Sequence, residues 1–210
     1  MEIILMRHGK PGFAGAQKVA AHEMAGWINQ YDLSGIGDDQ PPEASRELAR
    51  SVLMVISSPL PRAISSARNL NLEPEIIDRV FREAELPVYL IPVVKLSPFS
   101  WVILFRLMWL CGMSKKTESF TMAKSRARRA AGILLKNARE HNGPVLMMGH
   151  GIMNRLIAKE LTSLGWKERT RAGKGYWGAG VFERGMHSFC FWDKKIRHKQ
   201  MIRQERIVDC

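Results

Sequence analysis

The chain has 210 residues, 46% of them hydrophobic and 25% charged, which excludes large-scale disorder and allows one domain with a substantial core. Its 32 Lys and Arg against 20 Asp and Glu leave a net charge of +12, which favours anionic partners without choosing among phosphorylated metabolites, nucleic acid and acidic membrane surfaces. Cys111, Cys190 and Cys210 form no CxxC or Cys/His ligand spacing and no closed disulfide framework, so no metal site and a reducing, cytoplasmic setting are expected.

Residues 2–6 read as a short buried strand, apolar from Ile3 and ended by Arg7-His8-Gly9. The apolar run is too short for a secretory signal and the basic residues follow it, so none is expected. Residues 16–31 carry Val19, Met24, Trp27 and Ile28 at helical spacing. A loop rich in Gly, Asp and Pro covers 34–42, and a helix is expected over 43–51. Val52 to Ile56 predicts a second buried strand ending at Ser57-Ser58-Pro59, and Pro61 suits the first turn of a helix through Ala63, Ala67 and Leu70. A third strand falls at 75–77.

Ser119 or Thr121 caps a long helix to Glu140, with Ala127, Ala131, Leu134, Leu135 and Ala138 inward and Asn142-Gly143-Pro144 as its stop. Residues 145–148 form another apolar strand, followed by Gly149-His150-Gly151 and a helix over 152–161. Residues 176–183 and 187–193 read as late strands. Strands alternating with helices predict a three-layer α/β/α domain around a mainly parallel sheet, spanning 1–210.

Three segments repeat one construction: an apolar strand, a polar turn, then a helix or a helix-compatible stretch. In open parallel sheets ligands bind beyond the carboxyl ends of strands, so the three turns converge on one crevice. They bring Arg7 and His8, then Ser57, Ser58 and Arg62, then His150. Arginine's planar fork matches phosphate oxygens and stays charged, so this set reads as a phosphate pocket. Backbone N–H groups at Gly151 and Ile152, opening a helix, add anion donors. His22, His141, His187 and His198 read as surface or structural histidines.

Arg7-His8-Gly9, Ser57-Ser58-Pro59-Leu60-Pro61-Arg62-Ala63 and Gly149-His150-Gly151 together resemble the motifs of the histidine phosphatase superfamily, to which phosphoglycerate mutases belong. The resemblance implies a phosphoglycerate mutase-like fold and a phosphohistidine formed on His8 without metal or cofactor. It implies phosphate binding by Arg7, Arg62, His150 and Gly151. It also implies a carboxylate acid in the segment after the third strand, where Glu83 follows Arg82 and matches best, with Glu85 as the alternative. Glu118-Ser119 resembles another recurrent element of the family.

Where many mutases continue the first motif with an acidic residue, Ser and later Asn, this chain has Lys10-Pro11-Gly12-Phe13. That departure points to hydrolysis of a phosphorylated small molecule or phosphoprotein, with phosphoryl transfer in a mutase and turnover-free phospho-ligand binding as the alternatives. The family places insertions after the third strand, so residues near 86–118 are expected to form a cap. Within it, in the stretch 99–113, Trp101 to Leu110 are apolar apart from Arg106, too few to span a bilayer. They suit a cap helix, an apolar lid for an amphiphilic substrate, or a peripheral membrane contact. The basic tail from Lys194 to Arg206 reads as a solvated face, and no motif supports nucleic-acid binding.

Overall fold

A computed structural model of the chain describes residues 1–13, 17–92, 94–114, 117–171, 173 and 175–184. In chain order the elements are β1 (Glu2–Arg7), β2 (Val19–Ala20), α1 (Met24–Leu33), α2 (Glu43–Arg50), β3 (Met54–Ser57), α3 (Pro61–Asn69) and β4 (Ile76–Ile77). There follow β5 (Lys95–Leu96), α4 (Pro98–Leu110), α5 (Phe120–Glu140), β6 (Val145–Gly149), α6 (Gly151–Ser163), β7 (Lys167–Thr170) and β8 (Ala179–Glu183).

Six strands make one sheet in the order β4-β3-β6-β1-β8-β7. The run β4-β3-β6-β1 is parallel, β8 is antiparallel to β1, and β7 is antiparallel to β8. Alternation along β1 divides the core. Ile3 and Leu5 face α5 and α6, joining Ala127, Ala131, Leu134 and Ile157. Ile4 and Met6 face the other side, joining Ala49 of α2 and Ala63 and Ala67 of α3. Helices cover both faces, so the three-layer arrangement around a mainly parallel sheet is the observed one.

Small residues let α5 lie close to the sheet: Ala123, Ala127, Ala130, Ala131 and Ala138 are fully buried. Ser119 is its cap, the side chain accepting from the Met122 N–H at 3.2 Å. Pro61 occupies the first turn of α3, as the sequence predicts.

Several boundaries differ. Helix α1 starts at Met24 because Val19 and Ala20 pair with Lys95 and Leu96 in a two-stranded sheet, and a 3-10 turn separates them. Leu53 is exposed and the second strand begins one residue later, since it must pair with β6 from Val145 onward. The last described strand starts at Ala179, not 176. Strand β7 escaped the sequence reading because Lys167, Glu168, Arg169 and Thr170 are all exposed and show no alternation. The strand expected over 187–193 lies outside the described residues.

Residues 86–110 supply a smaller core. Trp101 and Phe105 of α4 pack with Tyr89, Met24 and Trp27, and the Trp101 indole donates to the Val19 carbonyl at 2.8 Å. Within the segment expected as a cap, α4 is laid against α1. Among the described residues no helix is long and apolar enough to cross a membrane.

Candidate active site

The three polar turns meet because strand pairing carries them together. Arg7 is in register with Gly149, and Ser57 with Met148. The pairing continues one step past the strands: His8 N–H donates to the Gly149 carbonyl at 3.0 Å and Ser58 N–H to the Met148 carbonyl at 3.1 Å. Gly9 N–H then donates to Ser66 Oγ at 2.8 Å, and Ser66 Oγ donates to the Arg62 carbonyl at 2.6 Å. Ser66 therefore ties the first turn to α3. Gly9 has to be glycine, since a Cβ there would lie 2.5 Å from Trp177 Cζ2. Asn154 ties the third turn to β1, accepting from His150 N–H at 3.0 Å and donating to the Met6 carbonyl at 3.0 Å.

His8 is only 3% exposed. Its Nδ1 lies 2.7 Å from the Gly9 carbonyl oxygen. A carbonyl only accepts, so this hydrogen bond assigns the proton to Nδ1 and leaves the Nε2 lone pair free. Burial lowers the His8 pKa to about 3, with Arg62 and then Arg7 adding to the effect against the opposing hydrogen bond to Gly9. His150 is fully buried, its ring centroid 5.0 Å from that of His8. Burial, then Arg62, His8, Arg7 and Arg82, hold it well below the ordinary histidine value. His150 Nε2 is 2.7 Å from Ser58 Oγ, which also accepts from Leu60 N–H at 3.3 Å. Either group can be the donor in this bond, so the contact is compatible with a His150 proton on Nδ1 or on Nε2.

Arg62, at 2% exposure, pairs with Asp32 at 3.1 Å and donates to the Tyr31 carbonyl at 3.1 Å. Its guanidinium lies 4.7 Å from the centre of the Tyr31 ring, and that of Arg7 lies 4.4 Å from the Tyr176 ring. Asp32 also reaches Arg82 at 3.5 Å. Arg7 Nε, Arg62 Nε and His150 Nδ1 are among the buried side-chain atoms with no hydrogen-bond partner among the described residues, as is Trp27 Nε1 further along the cavity. Buried polar atoms are rarely left so, and the first three belong to the residues around His8.

Glu83 docks on α6. Its carboxylate accepts from the N–H groups of Met153 at 3.0 Å and Ile152 at 3.2 Å, and from Ala84 N–H at 3.0 Å. The Ile152 N–H expected to meet an anionic ligand thus meets Glu83, at the positive end of the helix. Glu85 accepts instead from Glu118 N–H at 2.9 Å. Arg126 fixes the whole segment: it forms a two-pronged pair with Glu118, both contacts 2.7 Å, and donates to the Val80 and Arg82 carbonyls at 2.8 and 2.7 Å.

Arg7, His8, Arg62, Glu83 and Gly151 all line one cavity of about 600 Å3, and Glu85 lines it too. His150 lies behind that wall. Lys10 is exposed and its N–H donates to Asp39 at 2.5 Å. His22 and His141 are exposed, while His187 and His198 lie outside the described residues. Sequence reading missed Ser66, Asn154, Asp32 and Arg126, which carry no local signature. Among the described residues no group of three or more His, Cys, Asp or Glu is placed to hold a metal ion.

Fold and site together define an α/β protein with two histidines and two arginines gathered at the carboxyl edge of a parallel sheet. The chain belongs to the histidine phosphatase superfamily (branch 1), whose family model matches residues 3–178. No curated protein matches it. Among solved structures it is similar to a protein from an open reading frame of Mycobacterium tuberculosis, with 16% identity, TM-score 0.55, and 89% of this chain and 92% of that one covered. It is similar to a mycobacterial hydrolase (20%, TM-score 0.55, 90% and 85% covered) and to phosphoglycerate mutase from Bacillus anthracis (16%, TM-score 0.54, 88% of each covered). At these identities the likeness is one of fold.

Proposed function

We propose that the chain hydrolyses a phosphomonoester by way of a phosphohistidine on His8. The observation that carries this is the His8 ring itself: buried, neutral, its Nδ1 proton held by Gly9 and its Nε2 lone pair free beside Arg7 and Arg62. Nε2 attacks phosphorus while the P–O bond to the alcohol breaks, and Glu83 gives its proton to the leaving oxygen. Water then attacks the phosphohistidine, Glu83 takes the water's proton, the P–N bond breaks, and neutral His8 and phosphate are released. Ester and water give alcohol and phosphate, with both groups restored.

The unpartnered Arg7 Nε, Arg62 Nε and His150 Nδ1 serve the phosphoryl oxygens as charge develops on them. On this reading Ser58 donates to His150 Nε2, so that the His150 proton is on Nδ1. Support for Glu83 over Glu85 as the acid comes from its tether to the first turn of α6, directly after His150, whereas Glu85 is held by the backbone of Glu118. Lys10-Pro11-Gly12-Phe13 supports water over an anchored acceptor, because Lys10 is outside the cavity lining.

Hydrolysis of p-nitrophenyl phosphate with a chelator present tests the proposal. The parent is expected to turn over, His8→Ala to lose at least about 1,000-fold, and Glu83→Gln far more than Glu85→Gln. Full activity in His8→Ala overturns the mechanism.

A further inference from the structure

We propose that the alcohol released from the phosphate is a large apolar one, alkyl or aryl, held beneath α4; the proposal rests on hydrolysis at His8. A cavity of about 600 Å3 suits a whole organic ligand, far more than a phosphate ion. Its outer wall comes from α4, which is apolar on two faces. Trp101, Phe105 and Trp109 turn into protein and are fully buried. Phe99, Val102, Ile103 and Leu107 turn to the cavity, and Phe99, Ile103 and Leu107 are 43%, 63% and 57% exposed. A helix packed on one face ordinarily carries polar residues on the other, and a contiguous apolar exposure marks a binding surface.

The apolar wall runs continuously from the phosphate end. Arg62 lies over Tyr31, Tyr31 stacks on Trp27 with centroids 5.1 Å apart, and Trp27 meets Phe99 edge-on at 5.6 Å. Asp32, Arg106 and Glu85 along this wall are already engaged. Asp32 pairs with Arg62 and Arg82. Arg106 donates to the Ala84 and Glu85 carbonyls, and the Glu85 carboxylate accepts from Glu118. At these groups a sugar or glycerol hydroxyl would displace existing bonds, whereas a hydrocarbon needs none of them. Arg155, exposed on α6, and the Trp27 indole N–H, without a hydrogen-bond partner among the described residues, also line the cavity.

The test compares kcat/KM for butyl, hexyl, octyl and 2-naphthyl phosphates with that for glycerol 3-phosphate, with octyl phosphate below its micelle concentration. The expected rise is about threefold per methylene, with octyl phosphate at least about 100-fold above glycerol 3-phosphate. Comparison of 2-naphthyl with octyl phosphate distinguishes an aromatic from an aliphatic occupant. The double variant Ile103→Ser, Leu107→Ser, altered only at exposed positions, is expected to shrink the octyl-to-glycerol ratio at least tenfold. A parent ratio near one, or an unchanged ratio in the variant, overturns the proposal.

Calorimetric binding of octyl phosphate and glycerol 3-phosphate to the His8→Ala chain separates this proposal from the catalytic one. Octyl phosphate bound at least tenfold more tightly sustains the apolar site even if no ester is turned over; equal affinities overturn it. Sedimentation with phosphatidylglycerol vesicles, combined with a flat chain-length series, would make the α4 face a membrane contact and overturn it as well.

Discussion

His8 and His150 stand 5.0 Å apart, both buried and both held below the ordinary histidine pKa by burial and by the neighbouring arginines. The unfolded chain takes up a proton at such a ring near pH 6.5, while folded His8 refuses it until about 3. Over that window the unfolded state binds more protons, so stability falls as pH falls from 6.5 toward 3 and is fully present above 6.5. His150 acts in the same direction. Urea unfolding between pH 7 and 4 is expected to show the parent losing up to about 1.4 kcal/mol per pH unit for each such ring, and His8→Asn losing less. A parent profile no steeper than the variant's would mean that His8 protonates freely in the fold. The same low pKa keeps the His8 ring uncharged throughout neutral pH, so no activity loss centred at 6.5 is expected from it.

At the scale of elements, the site is a set of turns held by other elements. Ser66 of α3 ties down Gly9, Asn154 of α6 ties His150 to β1, and Glu83 is bound to the start of α6. Arg126 of α5 holds the stretch that delivers Glu83, with side chains of the Arg126–Glu118 pair 13% and 10% exposed. Arg126→Met would leave Glu118 buried and unpaired and the Val80, Arg82 and Glu83 carbonyls without this donor. The expected cost is about 3 kcal/mol, seen as a melting temperature about 10 °C lower. Because Arg126 acts through Glu83, kcat is expected to fall with KM little changed; a fall in stability with kinetics intact would give Arg126 a purely structural role.

Across the whole molecule two bodies of packed side chains divide the work. The sheet with its covering helices forms two core layers that hold the turns of the candidate site, while α1, α4 and residues such as Leu86, Tyr89 and Leu96 form a separate core beside the cavity. Phe105 is fully buried in that core, stacked near Trp101 at 5.3 Å and edge-on to Tyr89 at 5.8 Å. Phe105→Ala is expected to cost about 3 kcal/mol and, on the proposed reading in which α4 bounds the substrate while His8 sits on the sheet, to raise KM more than it lowers kcat. Equal loss in both parameters would mean that this core also positions the reacting groups.

The sequence by itself determined the parts whose signals are local. Ile3 to Met6, Val52 to Ile56 and Val145 to Met148 are short apolar runs stopped by polar turns, and such runs read as buried strands wherever they lie, though the second begins only at Met54. Arg7, His8, Arg62 and His150 could be singled out as candidates because they stand at the end of those runs or in the turn or helix start that follows, where a parallel sheet gathers its loops. Only the tertiary structure decided the rest. Glu83 meets α6 across 69 and 70 positions, Gly9 meets Ser66 across 57, and Arg126 meets Val80 across 46. Glutamate, serine and arginine at such distances carry no periodicity, so their partners exist only once the chain has closed. The two apolar faces of α4 are the same case: composition showed an apolar helix, and packing against α1 decided which face is core and which faces the cavity.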